Sequence, residues 1–238
     1  MSGHSHWAGI KHKKAAADAK RAGVFTKVAR LVTLAAKEGG GNPEMNFKLR
    51  LAIDQARAVN MPKDNIDRAV KRGTGELKDA AQIEEIIYEA MAPRNIAMLV
   101  KVATDNKNRA LSEIKHTIEK AGGKMVSAGS LKHLFKLVGV IYVNTTDKDA
   151  DELELKAIDA GALDTIFQGE FLQIYTEPRN LQKVKEALEQ ENINIDNAGL
   201  IFTPLDPIEI DQNTKFDYEG LLEKLDELDD VQEIYDNL

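Results

Sequence analysis

The hydrophobic period of the chain changes near residue 79, and this change constrains the fold more than any other feature. Before it, apolar residues recur at helical spacing in three short segments, over residues 24–36, from Pro43, and from Pro62. The run Gly39-Gly40-Gly41 ends the first segment, since three glycines continue a helix only at high cost. After residue 79, short apolar runs typical of strands alternate with helical segments. The pattern therefore predicts a three-helix bundle followed by α+β structure.

Residues 138–202 carry the order strand, helix, strand, strand, helix, strand, which is the ferredoxin-like βαββαβ arrangement. Ahead of this block we predict strands over 83–92, 96–104 and 131–136, and a helix over 107–121. Behind it we predict a strand over 208–210, a helix over 216–228 and a strand over 231–235. That tail has too little apolar surface to fold alone. We expect it to pack onto the sheet of residues 79–136, which makes the βαββαβ block an insertion.

The predicted fold class is therefore α+β and multidomain. The bundle ends at Gly73-Thr74-Gly75, where the helical pattern breaks. The predicted parts are a flexible basic arm (1–20), a helical bundle (21–78), an α+β domain (79–136 plus 207–238) and an inserted ferredoxin-like domain (137–206).

The 238-residue sequence lacks features that several functional classes require. No apolar run approaches the ~20 residues that span a bilayer, and the absence of cysteine suits a reducing cytosol. We therefore expect a cytoplasmic protein without a membrane partner. Phosphate-loop, Gly-x-Gly-x-x-Gly and His-Glu-x-x-His motifs are missing from the sequence. We expect no catalysis, no small-molecule substrate, no cofactor and no physiological metal, although Ser2-Gly3-His4 could take up Cu(II) or Ni(II) adventitiously.

The charge is segregated along the chain. Residues 1–78 carry 16 Lys or Arg against 7 Asp or Glu, and residues 79–238 carry 16 against 32. The first part is therefore net +9 and the second net −16, which together give the formal −7 of the whole chain. Such asymmetry indicates an anion-binding module joined to an acidic remainder that repels nucleic acid elsewhere.

The first thirty residues concentrate the candidate nucleic-acid ligands. Lys and Arg side chains neutralise phosphates, and an indole can stack on a base. The alternative for Trp7 is that it anchors the arm on the bundle. The predicted nucleic-acid-binding residues are His4, Trp7, Lys11, His12, Lys13, Lys14, Lys20, Arg21, Lys27, Arg30, Lys63 and Arg68.

Two further motifs have a structural interpretation as well as a functional one. Met61-Pro62-Lys63-Asp64-Asn65 is a proline-stiffened helix start that sets the angle between two helices, or places Lys63 on a phosphate in an RNA cleft. The stretch from Thr104 to Arg109 lies between a strand and a helix, and its Thr, Asp and Asn side chains suit a helix cap.

Four stretches of the sequence resemble the YebC/PmpR family, which includes the mitochondrial translational activator of cytochrome c oxidase subunit I. They are Gly3-His4-Ser5-His6-Trp7-Ala8-Gly9-Ile10-Lys11-His12-Lys13-Lys14, Asn60-Met61-Pro62-Lys63-Asp64-Asn65-Ile66-Asp67-Arg68-Ala69, Thr104-Asp105-Asn106-Lys107-Asn108-Arg109, and Leu228-Asp229-Asp230-Val231-Gln232-Glu233-Ile234-Tyr235. The resemblance spans the full length and implies the same three folded domains. It also implies a non-enzymatic regulator of gene expression.

The resemblance leaves the physiological partner open between two kinds of nucleic acid. Family members are described as DNA-binding transcriptional regulators, and also as ribosome-associated factors that bind rRNA or tRNA and relieve stalling at proline-rich stretches. A more remote alternative is a protein-interaction module, in which the acidic stretch Asp217–Asp236 binds a basic partner. The chain departs from the family at Ala90–Asn95, where a glycine-rich turn is usual. We expect a stiffer and bulkier turn there.

Overall fold

The computed structural model of the chain describes residues 18–77, 81–146 and 149–238. Within these ranges the helices are α1 (Asp18–Gly39), α2 (Phe47–Ala58), α3 (Lys63–Gly73), α4 (Lys107–Lys120), α5 (Ala150–Ala160), α6 (Leu181–Gln190) and α7 (Gln212–Asp226). The strands are β1 (Glu84–Ala92), β2 (Ile96–Thr104), β3 (Lys124–Met125), β4 (Phe135–Asn144), β5 (Asp164–Gln168), β6 (Phe171–Thr176), β7 (Asn197–Pro204) and β8 (Val231–Asp236). No helix in these ranges is long and apolar enough to cross a membrane.

Contacts divide the chain into two compact units. The first contains the residues up to Phe135 together with Thr203–Leu238, and the second is Lys136–Phe202. The predicted α+β fold with an insertion is confirmed. The finer separation of a bundle (21–78) from an α+β domain (79–136 plus 207–238) stays a prediction.

Helices α1, α2 and α3 form the bundle, which begins the first unit. Each helix carries one apolar face, and the three faces meet in a core that includes Val32, Leu49 and Ile66. Helix α2 begins at Phe47 rather than near Pro43, because Asn46 caps it. The Asn46 Oδ1 accepts a hydrogen bond from the Leu49 amide at 3.1 Å. Its Nδ2 donates to the carbonyl oxygens of Ala35 and Gly40, which ties the end of α1 to the start of α2.

The close contact between α1 and α3 depends on Gly73. A Cβ at this position would lie 2.3 Å from the Thr33 carbonyl oxygen and 2.7 Å from the Ala36 Cβ. We expect Gly73→Ala to lower the free energy of unfolding by about 1–3 kcal/mol, as overpacking does, measured by urea denaturation. Gly220→Ala is the control, because nothing lies within 4 Å of a Cβ there and α7 should gain about 0.5–1 kcal/mol. Equal stability of the Gly73 variant and the wild type would contradict this packing.

The α+β domain of the first unit is built on a sheet of strand order β3-β1-β2-β8. Strands β1 and β2 form an antiparallel hairpin, and β8 pairs antiparallel with β2 so that Leu99 lies opposite Tyr235. Helices α4 and α7 cover one face, where Ile114 and Leu222 meet Val100 in a continuous core. The chain therefore returns to its first sheet after the insertion, as predicted.

The second unit has the ferredoxin-like topology. Its sheet has the strand order β5-β6-β4-β7, and β6 pairs antiparallel with both β4 and β5. Helix α5 connects β4 to β5, and helix α6 connects β6 to β7. Buried Leu172 and Ile174 of β6 and buried Leu181 and Leu188 of α6 belong to its apolar interior. This is the βαββαβ order predicted from the sequence.

Three further local predictions differ from the structure. Residues 131–136 and 138–143 do not form two strands, because a short 3₁₀ turn at Lys132–Leu134 leads directly into the continuous strand β4. Residues 208–210 are not a strand, although the Ile208 amide donates to the Asn237 carbonyl at 2.7 Å. Helix α7 begins at Gln212 instead of residue 216, since Asp211 caps it by accepting from the Thr214 amide at 2.9 Å.

Candidate nucleic-acid interface

The twelve predicted binding residues fall into three groups in the structure. His4, Trp7, Lys11, His12, Lys13 and Lys14 lie outside the described residues. Lys20 and Arg21 belong to the first turns of α1, where the backbone is described. The structure places the side chains of Lys27, Arg30, Lys63 and Arg68, and these four divide into two different environments.

Lys27 and Arg30 of α1 face the α+β domain. The Lys27 Nζ lies 2.9 Å from Asp226 Oδ1 and also donates to the Asp226 carbonyl, at the C-terminal end of α7. The Arg30 Nη1 lies 2.6 Å from Asp230 Oδ1 and donates to the Asp229 carbonyl. A cation at a helix C-terminus complements the helix dipole. With side chains only 12% and 15% exposed, the two residues join α1 to the end of α7, and their part in binding nucleic acid stays a prediction.

Asp230 is the buried centre of a polar network that we call the Asp230 cluster, formed by Arg30, Thr104, Asp105, Arg109 and Asp230. Beside Arg30, the Asp230 carboxylate accepts from Thr104 Oγ1 at 3.0 Å and from Arg109 Nη2 at 3.0 Å. The Arg109 Nη2 also donates to Asp105 Oδ1 at 3.0 Å. The Asp230 side chain is only 4% exposed, so its charge depends on these partners for compensation.

Electrostatics in the Asp230 cluster follow from this geometry. Burial by itself would raise the pKa of Asp105, but the hydrogen bond and charge of Arg109, together with the charge of Arg30, hold that pKa below its usual range. Hydrogen bonds to Asp230 and Asp105 raise the pKa of Arg109. These shifts favour the charged forms of Asp105 and Arg109, and the cluster contains cations from both α1 and α4.

Further contacts join the bundle to the α+β domain. The Arg72 Nη2 donates to the Ala81 carbonyl at 2.8 Å and lies 3.7 Å from Asp105 Oδ2. The Lys37 Nζ donates to the Ile83 carbonyl at 3.0 Å. A small apolar contact of Leu34, Ile83 and Ala103 lies among them. Three cations of α1, Lys27, Arg30 and Lys37, thus have partners within the molecule.

The stretch from Thr104 to Arg109 also caps a helix. The Asn106 Oδ1 accepts from the Arg109 amide at 3.1 Å, and Thr104 Oγ1 accepts from the Asn106 amide at 3.0 Å. This agrees with the capping interpretation of the sequence. No local pattern in the sequence connects the stretch to Arg30 or Asp230. The available signal was the opposite charge of Arg109 and Asp230, which lie in two of the four stretches that resemble the family. These two stretches are far apart in the sequence, so no local pattern pairs the two residues.

Lys63 and Arg68 of α3 point away from the core. Both are exposed, as is Lys71 on the same face, while Ile66 and Ala69 face the bundle interior. Within the described residues, none of these three cations has a carboxylate oxygen within 4 Å. Lys63 is the first residue of α3, where the helix dipole disfavours a cation. The stability of the helix therefore does not explain why a lysine is found at this position. Asp64 and Asp67 share the face, which leaves it a net +1.

Comparison with known proteins identifies the family. The family model described as "TACO1/YebC protein N-terminal domain" matches residues 5–76. The model described as "TACO1/YebC second and third domain" matches residues 83–238. The chain belongs to the TACO1/YebC family. Relatives each named "probable transcriptional regulatory protein" align over the whole chain. One from Dehalococcoides mccartyi is 46% identical over 94% of its own length, and one from Thermoanaerobacter pseudethanolicus is 47% identical over 97%.

A solved structure from Aquifex aeolicus has the same fold. The crystal structure of a conserved hypothetical protein from Aquifex aeolicus matches with a TM-score of 0.91 at 44% identity, covering 98% of this chain and 96% of that one. Within this fold, the turn of the β1–β2 hairpin contains Pro93, Arg94 and Asn95. The backbone has positive φ angles of 63° at Arg94 and 62° at Asn95, a conformation that glycine adopts without strain.

Proposed function

We propose that this chain is a nucleic-acid-binding regulator of transcription that acts without catalysing a reaction. The observation that carries the proposal is the net +9 of residues 1–78 in a chain whose remainder is net −16. The names of the full-length relatives support a role in transcription. The exposed cations Lys63 and Arg68 support phosphate binding, because no described carboxylate neutralises them.

The predicted ligands take different parts in this proposal. The basic arm and α3 supply the phosphate contacts, with Lys11, Lys13 and Lys14 as the densest group of cations. Lys27 and Arg30 act by fixing α1 on the α+β domain, because Asp226 and Asp230 hold them. Two acids of the stretch Asp217–Asp236 are therefore paired with cations of the same chain.

RNA on the ribosome is the second candidate ligand, since the same cations would serve it. Crosslinking in cells followed by sequencing of the bound nucleic acid separates the two. Enrichment of promoter DNA would support transcription, and enrichment of rRNA or tRNA, with co-migration on ribosomal particles, would replace it with a translational role.

Replacing Lys11, Lys13 and Lys14 with glutamine tests the binding module directly. Three lost phosphate contacts should reduce the slope of log K against log salt by roughly 2–3, at ~0.7–0.9 per contact. The matched control is Arg179→Gln, Lys183→Gln and Lys224→Gln, three exposed cations elsewhere without a described carboxylate partner. An equal change of slope in both triple variants would show that overall charge, and not the arm, determines binding.

A further inference from the structure

A second group of unpaired cations lies at the far end of the β1–β2 hairpin. Arg94 is in the turn between the two strands, Lys120 ends α4, and Lys124 begins β3. We call these three residues the hairpin-end cluster. Strand pairing places Lys124 opposite Met91 of β1, three residues before Arg94.

Tight packing at two glycines brings together the backbone segments that carry these cations. A Cβ on Gly123 would lie 2.8 Å from the Met91 carbonyl oxygen, and one on Gly122 would lie 3.7 Å from Pro93 Cγ. The Gly122 amide donates to the Glu119 carbonyl at 3.0 Å, which joins this turn to the end of α4. The end of α4, the start of β3 and the hairpin turn therefore lie next to one another.

The acidic side chains near the hairpin-end cluster, Glu119 and Glu89, have other partners. Glu119 faces Lys115, with Oε1 and Nζ 3.8 Å apart. The buried Glu89 carboxylate accepts from the amides of Gly129, Leu131 and Lys132. Within the described residues, no carboxylate oxygen lies within 4 Å of Arg94, Lys120 or Lys124. Residues 115–136 contain five lysines and one glutamate, although the chain after residue 78 is net −16.

Lys124 lies on the sheet face that the bundle covers at its other end. Ala103 of β2 contacts Leu34 of α1, and alternate residues of a strand share a face. Ala97 therefore lies on the same face as Ala103, about 20 Å further along β2. Ala97 pairs with Met91, which in turn pairs with Lys124. Lys124 therefore lies on the sheet side that contacts the bundle, whereas α4, which ends at Lys120, covers the other side. The three cations surround the hairpin end from both sides of the sheet.

The backbone of Arg94 is a second, independent observation. Arg94 is exposed and has a φ of 63°, a conformation that is strained for residues other than glycine. Folding of the turn therefore does not require arginine here and would be easier with glycine. A strained residue whose charged side chain has no partner in the described part of the chain points to a ligand outside it.

We propose that the hairpin-end cluster is a second phosphate-binding surface, which contacts the sugar-phosphate backbone of the nucleic acid already held by the bundle. The proposal rests on the function proposed above. It adds a contact outside residues 1–78, in a part of the chain that net charge alone would exclude. The cluster contributes affinity without sequence selectivity, because it offers charges and no base-reading motif.

The experiment compares the full-length wild type with a variant carrying Arg94→Gln, Lys120→Gln and Lys124→Gln. Binding of duplex DNA and of a structured RNA is measured between about 50 and 200 mM salt, with Arg179→Gln, Lys183→Gln and Lys224→Gln as the control of equal charge. We expect the salt slope to fall by about 2 and Kd to rise roughly tenfold or more at the low-salt end. The control should bind as the wild type does. Arg94→Gly should bind more weakly with an undiminished Tm, because it relieves the strained backbone.

The outcomes are distinct. A loss confined to one nucleic acid identifies it as the ligand of the hairpin end. Unchanged slopes in the hairpin variant, with normal wild-type binding, would overturn this proposal and leave the proposed function intact. Absence of wild-type binding to either nucleic acid would overturn both. If a polyglutamate peptide loses affinity for the variant while nucleic acid does not, the surface serves an acidic protein and the proposal is wrong.

Discussion

Replacement of Asp230 by alanine should lower the free energy of unfolding by about 2–4 kcal/mol, one of the two largest effects that we expect from a single polar substitution. The carboxylate is 4% exposed and compensates Arg30 and Arg109, while also accepting from Thr104 Oγ1. Removing one partner of a buried ion pair leaves the other charge uncompensated, which is strongly destabilising. Arg109 is 44% exposed, so water can hydrate its charge when the carboxylate is removed. The expected loss of stability is therefore at or below the ~3–5 kcal/mol that is usual when a buried ion pair is broken. Urea denaturation measures it.

Asp229 provides a matched control for Asp230. It is the neighbouring aspartate, and Arg30 uses only its backbone carbonyl. Asp229→Ala should therefore change stability by no more than about 0.5 kcal/mol, as exposed substitutions do. If the two variants are equally stable, the Asp230 cluster does not join the bundle to the α+β domain in the way described.

Replacement of Glu89 by alanine should cost about 2–4 kcal/mol, since it leaves three backbone amides without their acceptor. The Glu89 Oε1 accepts from the Gly129 amide at 2.6 Å, and its Oε2 accepts from the amides of Leu131 and Lys132 at 2.5 and 3.2 Å. We also expect faster amide hydrogen exchange over residues 126–134, because this one carboxylate organises the loop. Thermal unfolding and exchange followed by mass spectrometry measure the two effects.

Glu84 is the control on the same strand. Its carboxylate is exposed and pairs with Lys107 at 2.7 Å, a surface ion pair of the kind that adds little stability. Glu84→Ala should leave exchange in the loop unchanged. Protection of residues 126–134 in the Glu89 variant equal to that of the wild type would contradict the assigned role of Glu89.

Periodicity was enough to predict the order of elements, because each helix and strand has its own apolar face. The three bundle helices, the β1–β2 hairpin and the βαββαβ block are all visible in this way. Element ends were less predictable, since single capping side chains such as Asn46 and Asp211 decide them. The two predicted strands around residue 137 are one, because strand β4 passes through the exposed Lys136 and Leu137 without a turn.

The candidate site was predictable only as far as charge can indicate it. Composition identifies residues 1–78 as the basic module, and the exposed Lys63 and Arg68 fit that expectation. It could not show that Lys27 and Arg30 have carboxylate partners, because these partners are about 200 residues away along the chain. Nor could a net charge of −16 after residue 78 reveal the hairpin-end cluster, which forms only when three separate elements meet.

The long separation between Lys27 and Asp226, 199 residues, has a consequence for biosynthesis. Translation proceeds at roughly 5–20 residues per second and domains generally fold as they emerge, so the bundle is made about 10–40 s before its acidic partners. During this interval the cations of α1 remain without their carboxylates on a chain still attached to the ribosome. Mature packing of the bundle against the sheet therefore begins only when the last helix and strand have been synthesised.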